Sequence, residues 1–225
     1  MDNTKKVLII VTNTAFMDPE HPTGLWFEEF KAPYEAFKKA GFEIEVASPL
    51  GGISPIDPRS KIESDEEAIK EMEEILNNTK PLDNINVEDY VAVFLPGGHG
   101  VMMDFPDSEK LGEIITDFYC CNKLIGAVCH GPVGLINAKK PNGESMIKGK
   151  KLTALSNEEE NMSPNAPFIP FFLEDKLKEL GAIYSTSAPD KNYIVMDDNL
   201  ITGQNVNSVK VLADNFVNLL SESDY

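Results

Sequence analysis

Short apolar runs come round repeatedly along this chain, and stretches with helical spacing fill the gaps between them. KVLIIVT (residues 6–12) reads as a first buried strand and FEIEVASP (42–49) as a second. Between them Phe30, Tyr34 and Phe37 recur at helical spacing. Pro33 sits near that helix's start, where a missing N–H is tolerated, and Gly41 is its stop signal. YVAVFLPGG (90–98) and KLIGAVC (123–129) read as further strands, separated by an amphipathic helix through Leu111, Ile114, Ile115 and Phe118. Ser64 with Glu67 forms a capping-box pattern ahead of Ile69, Met72 and Leu76. Later come a strand KLTALS (151–156), a helix around Phe172, Leu173, Leu177 and Leu180 that stops at Gly181, and a strand pair YIVMDD and LITGQ. Val209, Leu212, Phe216 and Leu219 mark a C-terminal helix. Strands alternating with helices predict an α/β domain with a mostly parallel central sheet covered on both faces. No repeat, low-complexity segment or long linker divides residues 1–225, so one domain is expected.

Charge and motifs exclude several classes of function. A net charge of −17 would repel nucleic acid and anionic membrane surfaces. No apolar run approaches the ~18 residues that span a bilayer. The N-terminal apolar stretch is too short for a signal peptide and lacks a small-residue cleavage site. Of the three cysteines, Cys120 and Cys121 are neighbours that seldom bridge, so reduced thiols and a cytoplasmic setting are expected. His21, His99 and His130 show no metal-ligand spacing, and no GxGxxG or Walker-type loop is present. Neither a metal nor a nucleotide cofactor is expected.

Sites in open α/β sheets form beyond the carboxyl ends of the strands, which directs attention to the loops there. Those loops carry Glu28 and Glu29, the Gly97-Gly98-His99 turn, Cys129-His130, and the run Glu158-Glu159-Glu160. A free cysteine is ordinarily packing material. Cys129, however, ends a strand and precedes His130, a glycine and a proline, the layout of a nucleophile elbow. A helix N-terminus beside it would lower the thiol pKa. The glycine turn can offer backbone N–H groups to an oxyanion, although paired glycines usually mean only a turn, and His99 reads as structural. Glu28 and Glu29 lie beside the only tryptophan. One of them fits simple pairing with a helix dipole, and the other suits a proton shuttle. The Glu158–Glu160 run reads by default as a solvated charge run, with one member free to orient His130.

The segments AVCHGP, LPGGHG, TGLWFEEFKAPY and LTALSNEEE, in this order and separation, resemble the ThiJ/PfpI superfamily. Within it the closest likeness is to the glutathione-independent glyoxalase (glyoxalase III) and heat-shock chaperone branch, over almost the whole chain. The resemblance implies a flavodoxin-like three-layer sandwich and a homodimer. It implies Cys129 as nucleophile, His130 and Glu160 completing a triad, Glu29 contacting the thiol, and the N–H groups of Gly98 and His130 as oxyanion donors. The implied reaction is cofactor-free conversion of methylglyoxal, or a similar small 2-oxoaldehyde, to a 2-hydroxy acid. Met103 stands where related sequences often carry an aromatic residue, and TGQNVNS (202–208) lacks an expected proline, which bears on substrate preference. Two alternatives stay open: a cysteine-dependent amide or peptide hydrolase, and a non-enzymatic stress chaperone or redox sensor using Cys129 and the apolar segment NAPFIPFF (165–172).

Overall fold

Successive residues of the first strand, β1 (Lys6–Ile10), feed two different cores: Leu8 and Ile10 join one, Val7 and Ile9 the other. A strand covered on both faces must be apolar along its length, which is why this one shows no alternation. The computed structural model, which describes residues 5–60 and 66–222, extends that pattern across a seven-stranded sheet. The other strands are β2 (Glu43–Ser48), β3 (Lys80–Pro81), β4 (Ala92–Leu95), β5 (Leu124–Val128), β6 (Ile194–Asp197) and β7 (Leu200–Gly203). Their spatial order is β6-β7-β5-β4-β1-β2-β3, and every neighbouring pair is parallel except β6 with β7.

Helices α1 (Phe27–Lys39) and α2 (Glu66–Leu76) cover one face together with the C-terminal helix, Val209–Glu222. Phe37 of α1, Phe94 of β4 and Phe216 of the C-terminal helix meet there, with ring centroids 5.1–5.8 Å apart. Helix α3 (Glu109–Cys120) covers the other face through Ile114, Ile115 and Phe118. Besides a single helical turn at Val101–Asp104, the remaining helices in chain order are α4 (Asn157–Met162), α5 (Leu173–Glu179) and α6, the C-terminal one. Three layers around a mostly parallel sheet are the architecture expected. Ser64 of the Ser64–Glu67 pattern lies outside the described residues, and Glu67 falls in the first turn of α2. No helix among the described residues is long and apolar enough to cross a membrane.

Two local expectations need correction. The strand expected over 151–156 shrinks to Lys151–Leu152, which pairs with Ile183–Tyr184 outside the central sheet. Beyond it the chain leaves the ladder: Thr153 N–H donates to Thr202 Oγ1 (2.9 Å) and Leu155 N–H to the Cys129 carbonyl (2.9 Å). The helix after Cys129 is a short 3₁₀ turn, Gly131–Leu135, since two glycines and a proline make poor material for anything longer. Strand order reverses between β1 and β4, so the loops beyond their carboxyl ends diverge and leave a crevice.

Candidate active site

Cys129 holds φ +58°, a left-handed conformation that is uncommon outside glycine. The surroundings enforce it. Its N–H donates to Gly203 O of β7 (2.9 Å), and its carbonyl accepts from Leu155. At Gly131 the turn runs so close to the neighbouring strand end that a Cβ would stand 2.0 Å from Leu95 O. This is the elbow read from the sequence, a side chain projected from a strained strand-to-helix turn.

His130 follows, with Nδ1 3.5 Å from Cys129 Sγ and Nε2 2.6 Å from Glu160 Oε2. The other oxygen of Glu160 lies 2.9 Å from His99 Nε2. All three residues are buried. Burial alone would raise the Glu160 pKa, but the two histidine hydrogen bonds overcome it and hold the carboxyl well below the usual range. An ionised carboxylate only accepts, so each histidine donates from Nε2. That tautomer leaves His130 Nδ1 as a lone pair facing the thiol. Burial also lowers the His99 pKa, with the neighbouring His130 adding to the effect. One ring nitrogen of each histidine and an oxygen of Glu160 lie within 4.8 Å of one another, a donor set able to hold a metal ion that the sequence spacing does not reveal.

Glu29 approaches from the first turn of α1 and is 1% exposed. Its Oε2 accepts from Gly97 N–H at 2.7 Å, and its carboxyl hydrogen-bonds the Cys129 sulfur. Burial raises its pKa to about 7, against the lowering pull of those hydrogen bonds. The thiol therefore departs from the expectation that a helix end would lower its pKa. Burial raises it, and the Glu29 charge raises it further, while the neighbouring backbone N–H of His130 pulls weakly the other way. Cys129 and Glu29 are a coupled pair, and protonation of Glu29 removes the repulsion that holds the thiol up. Gly98 takes φ +100°, and a Cβ there would collide with Gly24 O at 2.4 Å. Its N–H has no acceptor among the described residues.

Glu29, Gly98, Cys129 and His130 line one cavity of about 380 Å³, and Glu160 stands behind His130. Trp26, Leu155 and Pro164 make its walls largely apolar. Glu28 is half-buried and Glu158 exposed, so in each acidic pair or run a single member reaches the chemistry. Sequence reasoning missed Arg59, took His99 as structural and preferred Glu160 to Glu159, yet all of Arg59, His99 and Glu159 line the cavity. A larger cleft of about 650 Å³ around Cys120, Lys150 and Asp198 lies at the opposite end of the sheet, by the amino ends of β5 and β7. All three cysteines are free thiols.

The glutathione-independent glyoxalase hsp3101 of Schizosaccharomyces pombe is 30% identical over 95% of each chain. The structure of Rapid Encystment Protein 24 kDa from Francisella tularensis superposes with TM-score 0.89 at 35% identity, covering 95% of this chain and 99% of that one. Glyoxalase III from Candida albicans superposes at 0.85 with 28% identity, covering 95% and 96%. The sequence profile of the DJ-1/PfpI family matches residues 25–219, a span that holds Glu29, Gly98, Cys129, His130 and Glu160. On that match the chain belongs to the DJ-1/PfpI family.

Proposed function

We propose that this protein is a glutathione-independent glyoxalase, converting methylglyoxal or a related small 2-oxoaldehyde to the 2-hydroxy acid. The similarity to named glyoxalases over nearly the whole chain supports this reading. The observation that carries it is Glu29. A cysteine hydrolase needs only a thiol, a histidine and an orienting acid, whereas an aldehyde-to-acid isomerisation also needs a group that moves a proton between carbons. Glu29 is such a group, buried against the sulfur and poised at about 7.

In this reading His130 Nδ1 takes the thiol proton, Glu160 stabilises the imidazolium, and the Cys129 sulfur adds to the aldehyde carbon. The resulting oxyanion meets the N–H groups of Gly98 and His130 and takes the proton back from the His130 imidazolium, giving the neutral hemithioacetal and a neutral imidazole. Glu29 as carboxylate then removes the C1 proton of the hemithioacetal, and the electron pair moves through an ene-diol. Return of a proton to C2 leaves a thioester of the 2-hydroxy acid. Water activated by His130 hydrolyses it, releasing the acid and restoring the thiol. Atoms balance with one water consumed and no redox partner.

The test is lactate formation from methylglyoxal without glutathione. Wild type is expected to form lactate, and Cys129→Ser and Glu29→Gln to lose about a hundredfold or more in kcat. Absence of lactate with wild type ends the glyoxalase reading. Full turnover by Glu29→Gln would remove Glu29 as the proton carrier.

A further inference from the structure

Arg59 is the only lysine or arginine lining the cavity among the described residues, in a chain whose net charge is −17. It comes from the Pro/Gly loop after β2, and its guanidinium is fixed in place. Nε donates to Asp57 Oδ1 at 2.9 Å and Nη2 to Asp57 Oδ2 at 2.6 Å, a two-pronged grip on a carboxylate that is itself fully buried. Asp57 is held in turn by Thr23 Oγ1 (3.2 Å) and by its own N–H on Leu25 O. Ser60 closes the arrangement: its hydroxyl donates to Asp57 O and accepts from Phe27 N–H, at the head of the helix that carries Glu29. The loop and the catalytic helix are thereby one rigid unit.

Asp57 engages only one edge of the fork. The remaining guanidinium N–H groups have no acceptor among the described residues, and the side chain keeps 36% of its surface exposed. The charge is felt at the chemistry, since it acts on both Glu160 and His99. The nearby Glu159 offers no competing acceptor, because its two oxygens are taken up by Ser156, Gln204, Asn205 and the Asp190 N–H. Methylglyoxal, with three carbons and no charge, leaves most of about 380 Å³ unfilled and offers a fixed cation no charge to pair with.

We propose that Arg59 is an anion-recognition residue and that the preferred substrates are 2-oxoaldehydes bearing a carboxylate at the end remote from the aldehyde. The inference rests on the glyoxalase reading for its chemistry, but the anion site can be tested apart from turnover. A fork already ordered by Asp57 loses little entropy on binding a second carboxylate, and its planar geometry matches that partner. The competing account is that Arg59 does no more than neutralise buried Asp57. Under that account substrate charge makes no difference.

Two paired measurements decide. The first compares kcat/KM for 4,5-dioxopentanoate and for 2-oxopentanal, which share a chain length and differ in the carboxylate. Wild type is expected to favour the anion by about tenfold, a preference that fades with salt. Arg59→Gln should bring the ratio to near unity, and Arg59→Lys should keep part of it. Because Arg59→Gln strands a buried carboxylate, the double variant Asp57→Asn/Arg59→Gln is measured beside it. Each ratio is internal to one protein, so a lower folded fraction cancels. The second compares alkylation of Cys129 by iodoacetate and by iodoacetamide, in which the sulfur displaces iodide. Mass spectrometry reads it, with exposed Cys120 and Cys121 as internal controls. Relative to those controls, Cys129 should favour iodoacetate in wild type and lose that bias in both glutamine-containing variants. Equal charge ratios in wild type and variants in both measurements would overturn the anion site. If 2-oxopentanal and methylglyoxal are turned over with no preference for the anion, the substrate inference fails and the glyoxalase reading stands. If neither oxoaldehyde reacts while the alkylation bias depends on Arg59, the glyoxalase reading and its substrate class fail and the anion site stands.

Discussion

Glu29 and Glu160 are both buried carboxylates less than a few side chains apart, yet their surroundings drive them in opposite directions. Glu160 has two histidine donors and stays ionised, whereas Glu29 has one backbone N–H and a thiol, which do not offset its burial. Glu29 thus binds its proton more tightly folded than unfolded, with a pKa of about 7 against 4.5. Its protonated form contributes stability that is fully present below the unfolded value and is lost as pH rises through about 7. At one unit per 1.36 kcal/mol, the loss amounts to about 3 kcal/mol. Glu29→Gln removes the ionisation while keeping an acceptor for Gly97. The variant should match wild type in melting temperature near pH 5 and exceed it near pH 8, in scans at both pH values. An unchanged difference across that range would mean that Glu29 is not protonated in the folded protein. A residue that is inactive when replaced yet more stable is what a group held for chemistry should look like.

Among the elements, α4 shows how a run of like charges divides its labour. Glu158 is exposed, Glu159 completes a capping box with Ser156 and ties down Gln204 and Asn205, and Glu160 meets the histidines. Glu159→Ala removes the reciprocal cap and takes one of two acceptors from each of two buried amides, which keep Ser187 O and Lys191 O, so it should cost about 2 kcal/mol in urea denaturation and raise KM by loosening the cavity wall. Glu158→Ala should do neither. The same helix marks where the sequence stops being readable. Helices α1 and α6 are legible because Phe30, Tyr34 and Phe37, or Val209, Leu212 and Phe216, repeat along one face. Cys129 is legible through local context, the strand end, whereas the aromatic helix start leaves Glu28 and Glu29 open and only the family resemblance singles out Glu29. His99 and Glu160 are 61 residues apart, and nothing local to either says they will touch. The strand expected from Lys151 fails for a like reason: its partner, Ile183–Tyr184, comes from a distant part of the chain, and the elbow claims the residues that follow. Arg59 sits in a Pro/Gly loop whose periodicity carries no signal. NAPFIPFF, open between core and client surface when read as sequence, is half-buried: Phe168 stacks on His21 with centroids 3.6 Å apart, and Phe171 packs on the core.

For the molecule as a whole, two cores on either side of one sheet mean that the site has two supports. Phe216 from the last helix packs against Phe37 and Phe94, which ties α1, and with it Glu29, to the sheet. Phe216→Ala should cost about 4 kcal/mol as a cavity between those rings, read from the shift in urea midpoint. It should also depress activity, although Phe216 lies in the core beneath the sheet and makes no part of the cavity wall. Activity falling only in proportion to unfolded protein would show that the α1 position does not depend on this contact.

The grip on Cys129 has one more consequence. Its turn is held by the carbonyl of Gly203, the N–H of Leu155 and the room left by Gly131, none of which involves the sulfur. The fold therefore presents a socket whose shape is indifferent to the atom placed in it. Serine or selenocysteine at this position would be offered at the same angle to the same cavity. The reaction could be exchanged without rebuilding the protein that hosts it.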